Sequence, residues 1–263
     1  MIVKILRELG YGWVPTAAGA SILIGLVVPY IIAVRSNHVY YLLPWVSDTG
    51  ALQPESCVFG QMLNVGSILV GATMYLRYRQ IVQQSNVISS KVLKWNSLSV
   101  IPGSLAVLGL SILANFQEDL HHPESLQNAI HAGGAVTCFV FGVVYGYFHS
   151  RISYALSTEF WSRAMAVLRF TLTALTGIFL VITLGLASVA FEEFNGTFAE
   201  HMQWRPEDKG YDIHIISAIA EYLMSLTYVI FILTYYDELR TIKQIRDLFC
   251  PAKSKMSPTD YSK

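Results

Sequence analysis

The sequence predicts an all-α polytopic membrane protein, a bundle of six transmembrane helices with the N and C termini in the cytoplasm. Three observations lead to this prediction. Of the 263 residues, 53% are hydrophobic and only 14% are charged, against about 25% charged residues in a typical soluble domain. Six apolar runs are each long enough to cross a bilayer, which takes about 20 residues. The Lys and Arg residues also collect at one end of these runs.

The six predicted spans fill most of the chain and leave only short connections. Lipid offers no hydrogen-bond partner to an open backbone, so each span is expected to be a helix. Their bounds are about 13–34, 57–76, 95–115, 128–149, 168–190 and 213–236. Glu221 is the one Asp, Glu, Lys or Arg residue within the six spans when the fifth span is taken to begin at Phe170. Residues 1–240 are therefore predicted to form one six-helix domain, and residues 241–263 a cytoplasmic tail.

The orientation follows from the basic residues, because short loops rich in Lys and Arg stay in the cytoplasm. With both termini inside, fifteen of the 18 Lys and Arg residues face the cytoplasm. The three that face outward are Arg35, Arg205 and Lys209. The opposite topology would invert this ratio, so we predict cytoplasmic termini.

The outer side is instead rich in carboxylates and histidines. Eleven of the 18 acidic residues and six of the 7 histidines lie in outer loops or at outer helix ends. These histidines are His38, His121, His122, His131, His201 and His214. In the lumen of an acidic organelle, the pH falls below the unperturbed imidazole pKa of about 6.5. Our hypothesis is that protonation of these histidines changes how the outer loops pack.

Polar groups near the outer ends of the helices form a candidate site. Glu221 lies about eight residues, roughly 12 Å, inside the sixth span, where a carboxylate needs a partner or a polar cavity. His214 and Ser217 share its helix face. We predict a lumenal polar cluster of Asp48, Glu118, His131, His214 and Glu221. Two interpretations stay open: a functional site, or a hydrogen-bond network that only fixes helix packing.

The first outer loop contains the stretch "LPWVSDTGALQPES", from Leu43 to Ser56. Its prolines, Asp48 and Gly50 are typical of ordered turns. Since Asp48 belongs to the predicted cluster, we expect this loop to fold down as a lid over the outer end of the bundle.

The motifs of common enzyme classes are missing from the sequence. No HExxH, GxSxG or P-loop pattern occurs, and the adjacent His121 and His122 lack a helical chelating spacing. We therefore predict no catalytic residues, no metal and no cofactor. The basic residues lie along the cytoplasmic face, where topology and anionic lipid explain them, so nucleic-acid binding is not expected.

Three further features concern modification and assembly. Asn195 begins an Asn-Gly-Thr sequon on the outer side and is a glycosylation candidate, and Cys250 in the predicted cytoplasmic tail is a palmitoylation candidate. "GVVYG", from Gly142 to Gly146, has the GxxxG spacing of helix dimers, so a homo-oligomer is an open alternative. The small residues of "HAGGA", which begins at His131, should let another helix approach closely.

Several stretches, in order and spacing, resemble the damage-regulated autophagy modulator (DRAM) family of six-span membrane proteins. They are "LPWVSDTGALQPES", "ATMYLRYRQI", "LANFQE", "HAGGA", "QWRPEDKGYDIHIISAIAEY" and "FILTYYDEL". The resemblance runs from the first span to the end of the sixth. Tyr222 departs from it, because similar sequences more often have Trp there.

The resemblance implies a lysosomal or endolysosomal membrane protein that promotes autophagy, with no enzymatic chemistry. Such a regulator would act through membrane lipids and through autophagy proteins bound to its cytoplasmic face. The wider superfamily leaves two alternatives. One is a plasma-membrane scaffold for a phosphatidylinositol 4-kinase, which imaging of the tagged protein would distinguish. The other is a transporter or lipid-modifying enzyme that uses the outer polar cluster, which substitution of Glu221 and His214 would test.

Overall fold

Eight α-helices and three short 3-10 helices make up the regular structure of residues 10–158 and 160–242, the part of the chain that this computed structural model describes. The α-helices are α1 (Trp13–Arg35), α2 (Glu55–Gln83), α3 (Ser90–Leu98), α4 (Val100–Asn115), α5 (Leu126–Leu156), α6 (Phe160–Glu193), α7 (Tyr211–Leu233) and α8 (Tyr236–Arg240). The 3-10 helices are Gly10–Gly12, Asp48–Gly50 and Phe198–Gln203. The predicted all-α fold is confirmed.

Six of the helical segments are long and apolar enough to cross a membrane. They are Gly10–Arg35, Glu55–Gln83, Ser90–Asn115, Leu126–Leu156, Ser162–Glu193 and Tyr211–Arg240. Each coincides with a predicted span, so the predicted number of membrane-length helices is confirmed. Every segment is longer than its prediction, because an apolar run ends at the first polar residues whereas the backbone hydrogen bonds continue past them.

The six long segments form a closed ring. Helices α1, α2, α4, α5, α6 and α7 each pack against the next, and α7 packs back against α1. The interior is filled mainly by apolar side chains from these helices, among them Ile22, Leu63, Leu110 and Phe231. The ring brings the loops that join α1 to α2, α4 to α5 and α6 to α7 together at one end.

Small residues set the close approach of α4 and α5. A Cβ atom on Gly109 would lie 2.7 Å from the carbonyl oxygen of Gly134, and one on Gly134 would lie 2.9 Å from the backbone nitrogen of Leu113. The expectation that "HAGGA" lets a helix approach closely is therefore met by α4 of the same chain.

The "GVVYG" glycines are also used inside the bundle. A Cβ on Gly142 would lie 2.7 Å from the ring of Tyr228, and one on Gly146 would lie 2.6 Å from the hydroxyl of Thr173. This face of α5 is covered by α6 and α7, so the motif gives no support for a dimer. A homo-oligomer stays a prediction without that argument.

A buried arginine organises the end of the bundle opposite the three loops. Arg169 lies inside α6, and its guanidinium contacts the Glu238 carboxylate at 2.7 Å, the Thr234 carbonyl at 2.8 Å and the Ser153 hydroxyl at 2.6 Å. In the sequence, Arg169 is one of the fifteen Lys and Arg residues predicted to face the cytoplasm. The structure shows that it also fixes α8 beneath α7, since a charge inside a span needs such partners.

Candidate functional site

Three loops close one end of the ring, and we call them together the cap: loop 1 (residues 36–54), loop 2 (residues 116–125) and loop 3 (residues 194–210). Loops 1 and 3 are joined by two hydrogen bonds. The Tyr40 amide donates to the Met202 carbonyl at 2.8 Å, and the Gln203 side chain donates to the Asn37 carbonyl at 2.8 Å. The cap is therefore one packed layer rather than three separate loops.

Loop 1 is held down by α7. The Trp45 indole N–H donates to the Ser217 hydroxyl at 3.0 Å, and the Val46 amide donates to Oε2 of Glu221 at 2.8 Å. Ser217 in turn donates to the Thr183 carbonyl on α6 at 3.1 Å. Glu221 thus has the partner that its depth requires, and "LPWVSDTGALQPES" lies over the bundle as the sequence predicts.

A buried ionic contact in the cap joins loop 1 to loop 3. Nε2 of His201 lies 3.1 Å from Oδ1 of Asp48, and both side chains are buried, with 0% and 1% exposed. The Nδ1 atom of His201 contacts the Phe198 carbonyl, within the same 3-10 helix. A capping box starts that helix, in which the Glu200 carboxylate accepts from the Thr197 amide. The same carboxylate also accepts from the Thr197 hydroxyl.

Glu118 of loop 2 completes this group. Its Oε2 lies 3.9 Å from Nε2 of His201, and its Oε1 lies 3.9 Å from Nε2 of His131 at the start of α5. His131 donates its Nδ1–H to the Phe116 carbonyl at 2.6 Å. We call Asp48, Glu118, His131 and His201 the cap cluster. It draws at least one residue from each loop of the cap.

The surroundings within the cap cluster shift the pKa values of His201 and Glu118. Burial by itself lowers the pKa of His201, but the neighbouring Asp48 and Glu118 carboxylates outweigh it and raise the pKa to about 9. Burial and the nearby Asp48 carboxylate raise the pKa of Glu118. Because this pKa lies above 7, His201 carries a proton on both ring nitrogens and is positively charged at both neutral and acidic pH. His201 therefore does not change charge between pH 7 and pH 5, and the pH hypothesis no longer rests on it.

The structure places the five predicted cluster residues in different environments. Asp48, Glu118 and His131 belong to the cap cluster. Glu221 lies beside them, bound to the Val46 amide two residues before Asp48. His214 instead packs against two indoles, with its ring centroid 4.4 Å from Trp45 and 4.8 Å from Trp204.

His201 was missed as a member of the cluster. In the sequence it is one of six outer histidines, and it lies 153 residues from Asp48. The one local signal is the Thr197-x-x-Glu200 capping box, which predicts a short helix start but not the direction of the His201 side chain.

A cavity lies beneath the cap, inside the ring. Its volume is about 70 Å³, and its polar lining comes from Ser47, His131, Glu221 and Ser225. Leu26, Leu63, Leu110, Phe139 and other apolar or aromatic side chains form the rest of its wall. Small-molecule sites usually measure about 300–1,000 Å³, so this cavity has room for a few waters rather than for a lipid.

The remaining candidates are modification sites. Asn195 is exposed in loop 3, as a glycan acceptor must be, while the hydroxyl of Thr197 donates to Glu200 at 2.9 Å. Glycosylation of Asn195 stays a prediction. Cys250, the palmitoylation candidate, lies outside the described residues, as does most of the predicted tail.

A ring of six membrane-length helices with one end covered by a packed cap defines this chain as a polytopic membrane protein. The chain belongs to the Frag1/DRAM/Sfk1/Cwh43P family, whose N-terminal domain model matches residues 10–242. This match covers every helix of the ring and the whole cap, and it confirms the resemblance drawn from the sequence.

Relatives in this family carry descriptive names. The chain is 33% identical over 234 residues to DNA damage-regulated autophagy modulator protein 2 of Bos taurus and 35% identical to that of Homo sapiens, with 89% of this chain and 85% of the relative covered in each case. It is 32% identical over 219 residues to DNA damage-regulated autophagy modulator protein 1 of Homo sapiens, with 82% of this chain and 85% of the relative covered. No solved structure matches the chain.

Proposed function

We propose that this chain is a non-enzymatic membrane regulator that promotes autophagy at the lysosomal or endolysosomal membrane. One observation carries the proposal. Identity of 33–35% extends over 89% of the chain to relatives named as DNA damage-regulated autophagy modulators. The aligned region is long enough to include most of the ring and cap, so the likeness concerns the whole architecture rather than one motif.

In this proposal the cap faces the lumen and both termini face the cytoplasm. The charge distribution supports this orientation, because the Lys and Arg residues collect at the end opposite the cap. At that end, Lys91 and Arg151 lie 5.1 and 4.8 Å from the centroid of the Trp95 ring. An indole with cationic neighbours is typical of the membrane interface.

The geometry beneath the cap favours a regulator over an enzyme. Glu221 is bound to the backbone of loop 1, and the cavity beside it holds about 70 Å³. A lipid substrate would need the cap to open, which would break the Trp45, Val46 and His201 contacts together. The proposed action is therefore through the cytoplasmic face, where membrane lipids and autophagy proteins are the expected partners.

The location is tested by fractionation of cells that express the tagged protein at its natural level. Lysosomes are immunopurified, and surface proteins of a parallel culture are labelled with a membrane-impermeant reagent. The proposal expects the chain in the lysosomal fraction and little of it at the surface. Recovery at the surface, together with a phosphatidylinositol 4-kinase, would support the scaffold alternative instead and overturn the proposed location.

A further inference from the structure

The two histidines of the cap cluster are fixed in the same way. His131 donates Nδ1–H to the Phe116 carbonyl at 2.6 Å, and Nδ1 of His201 contacts the Phe198 carbonyl. With the ring proton held at Nδ1, the lone pair of a neutral imidazole is at Nε2. In both residues Nε2 points at a carboxylate. A backbone carbonyl that fixes the other ring nitrogen is the usual arrangement of a histidine metal ligand.

Lone pairs that face each other need a positive species between them. Nε2 of His201 and Oδ1 of Asp48 are 3.1 Å apart in a fully buried position. The second oxygen of Asp48, Oδ2, is also buried and has no hydrogen-bond partner. A buried carboxylate oxygen without a partner is costly. In the described residues, the ion pairs of Asp48 and Glu118 are with histidines alone. Either a proton or a metal cation can meet this demand.

We propose that Asp48, Glu118 and His201 bind a divalent transition-metal ion, with Zn²⁺ as the test ion. One ligand atom from each of the three residues lies within 4.8 Å of the others. Imidazole nitrogen and carboxylate oxygen are ligands that Zn²⁺ accepts at about 2.0–2.2 Å. Two carboxylates would neutralise the charge of the ion, which lets it occupy a buried position.

The distances already approach those of a bound ion. In a tetrahedral zinc site the ligand atoms lie about 3.4 Å apart, as follows from bonds near 2.1 Å. The His201–Asp48 distance is 3.1 Å and the His201–Glu118 distance is 3.9 Å, so side-chain shifts of less than about 1 Å would complete the site. His131 contacts the other oxygen of Glu118 at 3.9 Å and acts as a positioning residue for that carboxylate.

Such an ion would join all three loops of the cap. Asp48 comes from loop 1, Glu118 from loop 2 and His201 from loop 3. Three protein ligands leave a fourth position for water. The inference does not rest on the proposed function, because a chain that binds the ion need not promote autophagy and the reverse is equally true.

Metal binding is tested with the full-length protein in detergent micelles, after removal of metals with a chelator. Isothermal titration calorimetry with Zn²⁺ measures the affinity. The visible absorption spectrum of bound Co²⁺ shows whether the ion has tetrahedral nitrogen and oxygen ligands. We expect one ion per chain. Asp48→Asn and His201→Gln should each weaken binding by more than about 100-fold, and His131→Gln by about 10–100-fold. His122→Gln, a loop 2 histidine with 69% of its side chain exposed, is the matched control and should bind as the wild type does.

Two results would overturn the proposal. One is a wild-type protein that gives no tetrahedral Co²⁺ spectrum and no stoichiometric Zn²⁺ binding, which would leave a proton as the bridge between His201 and Asp48. The other is equal binding by wild type, Asp48→Asn and His201→Gln. Circular dichroism and size-exclusion chromatography establish that each variant is folded, and where one is not, the wild-type Co²⁺ spectrum decides alone.

Discussion

His201 and Asp48 form a buried contact of 3.1 Å between two loops that are 153 residues apart in the chain. The contact places a histidine and a carboxylate at the centre of the cap, with Glu118 3.9 Å from the same nitrogen. Because both partners are out of solvent, their interaction is not screened as an exposed ion pair would be. The order of the cap should therefore depend on this pair more than on any exposed pair.

Removal of one partner leaves the other buried and unpaired. We expect Asp48→Ala to lower the free energy of opening of the cap by roughly 3–5 kcal/mol. Hydrogen exchange of the Thr49 and Gly50 amides, which donate to Trp45 and Ser47, measures that opening. The comparison is His122→Ala, whose ion pair with Asp119 is exposed and should contribute less than about 1 kcal/mol. Equal protection in the two variants would contradict the assignment.

Glu221 is expected to act through its hydrogen bond to loop 1. Glu221→Gln keeps an oxygen that accepts from the Val46 amide, so exchange in loop 1 should stay slow. Glu221→Leu leaves that amide unsatisfied in the interior, which should cost about 1–3 kcal/mol. If the two variants behave alike in exchange, the bond at 2.8 Å does not hold the loop.

The adjacent glycines of "HAGGA" provide a matched pair. Gly134→Ala would place a Cβ 2.9 Å from the Leu113 backbone nitrogen, whereas a Cβ on Gly133 has nothing within 4 Å. We expect Gly134→Ala to destabilise the bundle by about 1–3 kcal/mol through overpacking, and Gly133→Ala to be close to neutral. The thermal unfolding midpoint in detergent measures both. A loss in Gly133→Ala as large as that in Gly134→Ala would count against the α4–α5 packing.

The guanidinium fork of Arg169 is predicted to be irreplaceable by lysine. Arg169→Lys keeps the charge but cannot contact Ser153, Thr234 and Glu238 together. Amide exchange in residues 236–240 should rise at least tenfold, because α8 loses its attachment to α6. Arg163→Lys, an exposed position on the same helix, should leave that exchange unchanged. Similar exchange in both variants would show that α8 is held by other contacts.

The sequence was sufficient to predict the six-helix bundle and the lid. Apolar runs fix the number of spans because lipid forces each into a helix. A carboxylate at the depth of Glu221 must find a polar partner, and loop 1 supplies it through the Val46 amide. Asp48, Glu118 and His131 lie together in the cap cluster, and a function for the predicted polar cluster stays a prediction.

The sequence does not show which histidine, His201 or His214, contacts Asp48. His201 lies in loop 3 and His214 lies just after it in the first turn of α7, and only the packed cap decides which one reaches Asp48. Trp204 and Trp45 cover the ring of His214, while the short helix Phe198–Gln203 turns His201 toward loop 1. The role of Arg169 was hidden for a similar reason. Its partner Glu238 is 69 residues away and follows a separate span, so no local spacing links the two.

Autophagic flux, measured as lysosomal degradation of long-lived proteins, is the most direct test of the proposed function. Cells that lack the chain should show lower flux than their parents. Wild-type protein and Glu221→Gln should both restore it, because both keep the cap closed and no step of catalysis is assigned to Glu221. Flux that is the same with and without the chain would contradict the proposed role in autophagy.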